Sequence, residues 1–450
     1  MSSDDRPVGV DLFAGAGGLS LGFEQAGFDV VAAVEIDPVH AAVHKFNFPD
    51  CAMSVRSVVG LSGNEIRKSA GLESRRVDVV FGGAPCQGFS LIGQRALDDP
   101  RNALVREFVR LVIELDASYF VFENVKGLAL GNHRRFLAEL IDSFREAGYS
   151  VRMPWQVLNA AHFGVPQDRE RLFLLGAKKG FALPRYPEPS TCPAGERCGD
   201  FLFGLPEGPS CRDALDDLPE VDDFEALVAT DSVRIDQWKA PSAYAALLRC
   251  VDLDSWGFGY RRAWDPAILT SSMRTGHSEI SRRRFAEVAP GGVEPISRFF
   301  KLPPNGVSNT LRAGTDSSRG AFTSPRPIHY RSPRCITVRE MARLHGFPDW
   351  FRFHGTKWHG ARQVGNAVSP LLGKIIALQI SDALGIRAKR PRRTISLGEE
   401  SLLWFDTSQA ADFWGITLRT QRRDRKSGAR KRKQEEIEAQ RLDGAYAEFR

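Results

Sequence analysis

The sequence has no apolar run approaching the roughly 18–20 residues that span a bilayer, so no membrane partner is expected. It does not open on a leader either. "MSSDDRPVGVDLF" is acidic and passes straight into a strand pattern, so no signal peptide is expected. Cysteine is sparse, with seven in 450 residues, unevenly spaced. That fits a reducing compartment better than a disulfide framework, and a bacterial cytoplasmic location is the expectation. Cys192, Cys198 and Cys211 come nearest to a metal cluster, but they lack a CxxC pair and a nearby histidine ligand, so no metal is expected. There is no internal repeat.

What is present is ordinary for a folded chain: 42% hydrophobic and 26% charged residues, and enough length for two or three domains. A formal net charge of +6 says little about partners by itself. Its placement says more. "RRAWD", "SRRRF" and "SPRPIHYRSPR" fall between residues 261 and 334 and mix with aromatics and turn residues, as on a nucleic-acid surface. Scattered surface charge is the alternative. A second run, "RTQRRDRKSGARKRK", reads as a solvated tail.

Residues 1–180 alternate strand and helix patterns. Strands are expected at Val8–Phe13, Asp29–Val34, Val77–Phe81, Tyr119–Phe122, Tyr149–Leu158 and Arg171–Gly176. Helices are expected around Leu19–Ala26, Pro38–Asn47, Asn102–Leu115 and Arg134–Ala147. This βα repetition predicts an α/β fold, a doubly wound parallel sheet with helices on both faces. From Phe181 to Arg334 the periodicity breaks, and a stretch that long reads as a second, irregular domain rather than a loop. Helical pattern returns at Val338–Leu344 and Pro370–Leu384. After Arg387 the chain turns basic, although "LLWF" and "DFWGI" retain the means to dock.

In such a sheet, ligands bind beyond the carboxyl ends of the strands. Those ends carry "FAGAGG", Glu35, "GGAPCQ" and "EN" (Glu123, Asn124), and parallel strands bring all four to one edge. Gly15, Gly17 and Gly18 make a tight turn that lets backbone approach a cofactor. The dinucleotide pattern GxGxxG needs a third glycine where this chain has Ser20. Glu35 stands where an acid binds ribose hydroxyls; NAD and S-adenosylmethionine both carry that ribose, so Glu35 does not choose between them. Cys86, after Pro85 in a glycine-rich turn, is on position alone either a nucleophile or an inert thiol. Glu123 ends an apolar run, which is awkward for a carboxylate unless something pairs with it.

"DLFAGAGGLSLGFEQAGF", "PCQGFS", "FENV", "QDRERLF", "TVREMARLHGFP" and "QVGNAVSP" occur in this order. In order and spacing the chain resembles the bacterial DNA (cytosine-5)-methyltransferases, closely over residues 8–177 and 335–384. The resemblance implies a Rossmann-like S-adenosylmethionine-dependent methyltransferase domain (1–180 and 351–390), a smaller irregular target-recognition domain (181–350) and a basic C-terminal extension (391–450). It implies Cys86 attacking cytosine C6, Glu123 at N3, Arg171 at O2 and Arg169 as its motif partner. Cofactor contacts carry over as Phe13, the Gly15–Gly18 turn, Glu35, Pro85 and Asn366, with Gly365 beside it. Ser90, Gln94 and Arg95, on the family's catalytic loop, and Thr310, paired with Leu311, are the implied DNA contacts. Ser57 stands where the family often has an acid for the adenine amino group. The implied partners are S-adenosylmethionine and double-stranded DNA, for a monomer at the nucleoid that is either the modification half of a pair with a separately acting cognate restriction endonuclease or a solitary methylase. The basic extension either adds phosphate contacts or is a tail without function.

Overall fold

The computed structural model describes residues 6–417, apart from residues 74, 86–101, 132, 197, 199–201, 203 and 315–325. The first part runs β1 (Val8–Leu12), α1 (Gly18–Gln25), β2 (Asp29–Glu35), α2 (Pro38–Asn47), β3 (Ala52–Val55), α3 (Gly63–Ser69), β4 (Val79–Gly82), α4 (Ala103–Glu114), β5 (Tyr119–Val125), α5 (His133–Glu146), β6 (Tyr149–Val151), β7 (Gln156–Asn159) and β8 (Glu170–Lys178). These strands form one sheet in the order β3-β2-β1-β4-β5-β8-β6, with β7 also on β8. β1 pairs in parallel with both β2 and β4. Chain order reverses there, so a crevice opens at the carboxyl end of β1.

The expected parallel sheet holds only for β1 to β5. β8 runs antiparallel to β5, β6 and β7. The links from β6 to β7 and from β7 to β8 are too short for a helical crossover, which parallel neighbours require. Tyr149–Leu158, expected as one strand, is two, and β3 and α3 were not foreseen.

Alternation sorts each strand's side chains onto two buried faces. Val10, Val80, Phe120, Phe122 and Leu172 pack against Phe108 of α4 and Phe136 of α5. On the opposite face Phe81, Val121 and Phe173 meet Phe23 of α1 and residues from a late helix, Leu372 and Ile376. Each such burial contributes roughly 1.5–3 kcal/mol, so both helical layers are held by the sheet.

The middle of the chain has little regular structure: α6 (Cys211–Leu215), β9 (Val233–Arg234), α7 (Ala243–Arg249), β10 (Arg261–Ala263), β11 (Ile268–Leu269) and α8 (Glu279–Glu287). Then follow α9 (Val338–Leu344), α10 (Lys357–Asn366), α11 (Pro370–Ala383), β12 (Thr394–Ser396) and α12 (Thr407–Trp414). The stretch Lys357–Ala383 is long and apolar enough for a membrane span by length and composition, which reading the sequence missed. Its most apolar window is 61% buried inside the protein, where Leu372, Ile376 and Ile380 face the sheet layer.

Two cysteine readings change. Cys192 and Cys198 form a disulfide, because the turn at Pro193–Glu196 folds the chain back on itself. Cys211 is a separate buried thiol. Several arginines assigned to a basic surface are internal. Arg262, from "RRAWD", is buried and grips Glu24 of α1 at 2.9 and 2.8 Å. Arg334 is buried between Glu220 and Glu340. A buried carboxylate needs a paired, hydrogen-bonded cation, and the planar guanidinium supplies two parallel donors.

Replacing Arg262 by Met is expected to destabilise the protein by about 3–5 kcal/mol, since Glu24 is left buried and unpaired. Urea denaturation of Arg262→Met and of the double variant Arg262→Met/Glu24→Leu checks this, the double recovering most of the loss.

Candidate active site

β1 delivers the chain into a turn in which Phe13 (φ 65°), Gly15 (φ 56°) and Gly17 (φ 102°) all adopt left-handed backbone. For Phe13 that conformation costs energy, a sign of a functional turn. A Cβ on Gly15 meets nothing within 4 Å, so this backbone faces open space. Gly17 differs: a Cβ there lies 2.5 Å from Phe48, so its role is packing against α2. A Cβ on Gly18 lies 2.5 Å from the Val368 carbonyl oxygen, so the turn seats directly on the "QVGNAVSP" segment.

This turn walls a cavity of about 500 Å³, within the usual size range of small-molecule sites. Of the residues expected at the cofactor, Phe13, Gly15, Gly18, Glu35, Pro85 and Asn366 line it, and Gly17 does not. Glu35, at the end of β2, accepts hydrogen bonds from Gly15 N and Asp37 N, both 2.8 Å. Its carboxylate thereby ties the glycine turn to the start of α2, where Asp37 caps Val39 N and His40 N. Ser57 also lines the cavity, as does Arg56, and the Ser57 hydroxyl accepts from Val59 N at 3.1 Å.

Reading the sequence missed Asp11, His40, Arg362 and Gln363, which share this wall. Asp11 left a signal, an acid inside the apolar run "VGVDLF". It is buried and accepts from Ser20 Oγ at 2.6 Å, and Ser20 Oγ also contacts His44 Nε2 at 3.0 Å. Burial pushes the Asp11 carboxyl up to about 8, against the Ser20 hydrogen bond and with the Glu35 charge adding to the rise. Burial also pushes His44 down to about 3, so its imidazole is neutral.

The second half of the site lies across the cavity at the ends of β4 and β5. Glu123 lines the cavity and is 8% exposed. In the antiparallel register Glu123 faces Phe173 and Val125 faces Arg171. Arg171 is therefore the diagonal neighbour of Glu123 on the same face, and its Nε lies 2.9 Å from Glu123 Oε1. Burial raises the Glu123 pKa, and the charges of Arg171 and then Arg169 hold it back. Gly83 permits this placement, because a Cβ there would overlap Glu123 Oε2. Asn124 Nδ2 donates to the Ala84 carbonyl at 2.9 Å, which pins the turn leading to Pro85. Cys86, Ser90, Gln94 and Arg95 lie outside the described residues.

Arg169 is the buried member of its pair, 1% exposed. Its guanidinium donates to the carbonyls of Leu311 (3.0 Å), Gly365 (2.9 Å) and Ala367 (2.8 Å). Those bonds make it a staple between β8, the Thr310–Leu311 segment and the cavity wall. Thr310 Oγ1 donates to the Asp168 carbonyl at 2.6 Å, so Thr310 sits on the same edge. Among the described residues no cluster of His, Cys, Asp or Glu is arranged to hold a metal ion.

The chain matches the C-5 cytosine-specific DNA methylase family over residues 8–382. It is 56% identical over 412 residues to Type II methyltransferase M.XorII of Xanthomonas oryzae pv. oryzae, covering 92% of this chain and 93% of that protein. It is 33% identical over 374 residues to Type II methyltransferase M1.HphI of Haemophilus parahaemolyticus, covering 82% and 85%. A crystal structure of a protein described as a DNA modification methyltransferase encoded within an E. coli prophage superposes with a TM-score of 0.65 at 31% identity. That match covers 84% of this chain and 99% of the other.

Two outcomes follow from this geometry. Asp11 is raised on folding, so its contribution to stability is full below the ordinary carboxylate range and is lost as pH rises through about 8. The ligand-free protein is expected to lose roughly a few kcal/mol between pH 4 and 8 from this group alone. Comparing urea denaturation of wild type and Asp11→Asn across that range should show a flatter profile in the variant. Gly83→Ala is expected to lower turnover by about 100-fold by displacing the Glu123 carboxylate, with thermal stability changed little; steady-state kinetics and calorimetry check it.

Proposed function

The chain belongs to the C-5 cytosine-specific DNA methylase family, and on that premise we propose that it methylates C5 of a cytosine flipped out of duplex DNA, through a transient bond between Cys86 and C6. The enzyme is a DNA (cytosine-5)-methyltransferase of the Type II restriction–modification kind, and S-adenosylmethionine is the family's methyl donor. One observation carries the finer reading: Phe13, Gly15, Glu35, Pro85, Glu123 and Asn366 converge on a single cavity, with Glu123 held by Arg171.

The cavity suits the donor. The open backbone at Gly15 leaves room for close approach. Glu35 keeps carboxylate lone pairs beyond those used by Gly15 and Asp37 for ribose hydroxyls. Phe13 offers a ring for the adenine. When bound, S-adenosylmethionine supplies a methyl carbon carried on a positively charged sulfur.

Cytosine C5 is a poor nucleophile until the ring is made enamine-like. Addition of the Cys86 thiolate to C6 pushes the ring electrons toward C5, provided N3 gains a proton or a strong hydrogen bond. Glu123 is the residue for N3. Burial keeps its proton to higher pH than an ordinary glutamate, and Arg171 orients the carboxyl and stabilises its ionised form. C5 then takes the methyl group, water takes the C5 proton as the C6–sulfur bond breaks and releases the thiolate, and N3 returns its proton to Glu123. The target atom is shielded inside a duplex, so the base must leave the stack. Residues 181–350 serve as the target-recognition segment, with Thr310 braced on the QDRER edge, and Ser90, Gln94 and Arg95, which follow Cys86 in the sequence, contact DNA. A monomer acting in the cytoplasm beside a separate endonuclease completes the picture.

Transfer of labelled methyl from S-adenosylmethionine to mixed-sequence duplex DNA tests the reading, and bisulfite sequencing of DNA from expressing cells locates the site. Cys86→Ser is expected to abolish transfer, and Glu123→Gln to lower it by about 10²–10⁴-fold. The acid form of Glu123 is lost as pH rises through its raised pKa, so the rate falls on the alkaline side. Arg171→Ala removes the leading charge that opposes the rise, so that limb moves to higher pH in single-turnover profiles. Full activity in Cys86→Ser sinks the mechanism.

A further inference from the structure

Beyond α11 the chain does not simply trail away. β12 pairs in parallel with β10 of the middle segment. Gly398 N then donates to the Phe46 carbonyl of α2 at 2.9 Å. Leu402 and Leu403 are buried with Ala42, Val43 and Phe46 of α2, and the same cluster includes Ala16 of the glycine turn. Leu403 also accepts from Gly355 N at 2.8 Å. A Cβ on Gly355 would lie 2.5 Å from the Trp404 ring, so only glycine fits that approach. His354 Nε2 contacts the Phe405 carbonyl at 3.0 Å, and His354 N donates to Gln363 Oε1 at 2.9 Å. Finally, Trp414 Nε1 of α12 donates to the Pro38 carbonyl at 3.2 Å, at the first residue of α2.

These contacts have a common destination. α2 begins beside Asp37 and carries His40, and α10 carries Arg362, Gln363 and Asn366, all of which line the cavity. Two walls of the cavity, formed by segments more than 300 residues apart in the chain, are therefore backed by one strap. Its leucines close the gap behind the glycine turn, and its backbone carbonyl at Phe405 fixes the turn that leads into α10. A close-packed interior transmits displacement rather than absorbing it, so a gap behind α2 moves the wall in front.

We propose that residues 394–417 are a positioning strap for the methyl-donor pocket: by clamping α2 and the start of α10 behind the glycine turn, they set the affinity for S-adenosylmethionine. This rests on the cofactor reading above. The strap touches no reacting atom; it acts through Asp37, His40 and Gln363.

The test uses full-length protein. Calorimetric titration with S-adenosylmethionine, without DNA and well below the melting temperature, compares wild type, Leu403→Ala, Trp414→Phe and Arg390→Gln. Arg390 is an exposed residue ahead of the strap, paired with Asp254. Leu403→Ala is expected to raise the Kd by about tenfold and Trp414→Phe, which keeps an aromatic side chain but loses the indole N–H and its pyrrole portion, by about threefold, the scale of one hydrogen bond. Arg390→Gln should leave it unchanged. In turnover Leu403→Ala and Trp414→Phe should raise KM for S-adenosylmethionine and keep kcat at saturating cofactor within about twofold, with Arg390→Gln like wild type in both. A strap that only stabilised the fold would lower the melting temperature and leave Kd and KM alone, and that result overturns the proposal. If Leu403→Ala does not fold, Trp414→Phe decides. Failure of wild type to bind S-adenosylmethionine at all would instead overturn the cofactor reading beneath it.

Discussion

A carboxyl group buried at the end of a hydrophobic strand can ionise only beside a cation, and the site is organised around the way Glu123 gets one. The cation comes from β8, and it reaches Glu123 only because β8 runs antiparallel to β5 in the register that sets Arg171 diagonal to it. A slip of one residue would turn Arg171 to the other face. Around the pair, each neighbour is chosen by space or by a hydrogen bond. Gly83 leaves the volume that Glu123 Oε2 occupies, and Asn124 holds the turn before Pro85 through the Ala84 carbonyl. Arg169, two residues from Arg171, spends its donors on backbone carbonyls of Leu311, Gly365 and Ala367. The chain around the start of β8 thus supplies the Glu123 cation and also ties the cavity wall at Gly365–Ala367 to the Leu311 segment.

The irregular middle of the chain is held to this frame by charge as much as by apolar packing. Arg343 is fully buried between Asp217 and Asp349, and Arg334 between Glu220 and Glu340. Burial opposes the charge on Glu340, yet the Arg334 guanidinium outweighs it and holds the carboxyl at about 2. Such pairs add little net stability over an apolar core, but losing one partner is costly, so they lock a geometry. A segment with few regular elements gains a fixed orientation from them.

The parts of the site carried by short local motifs were legible. Strand ends could be located from periodicity, and the glycine turn, Glu35, Pro85, Glu123 and Asn366 do share one cavity. What stayed hidden depends on contacts between distant residues. The antiparallel edge follows from link lengths that looked like one continuous strand at Tyr149–Leu158. Arg262 and Arg334 looked like surface charge because nothing local shows that Glu24 and Glu340 are buried opposite them. Asp11 is legible as an acid in an apolar run, but its burial against Ser20, which also contacts His44, is not. The docking of "LLWF" and "DFWGI" was allowed for, yet their target on α2 lies more than 350 residues earlier, beyond the reach of any local pattern.

The most direct measurement is a covalent trap on duplex DNA of mixed sequence in which every cytosine is 5-fluorocytosine, incubated with enzyme and S-adenosylmethionine and read by mass spectrometry of the peptides. Fluorine at C5 blocks the final loss of the proton, so the account predicts a stable adduct on the peptide containing Cys86 in wild type and none in Cys86→Ser. An adduct on another residue, or methyl transfer to ordinary DNA by an enzyme that forms no adduct, would contradict it.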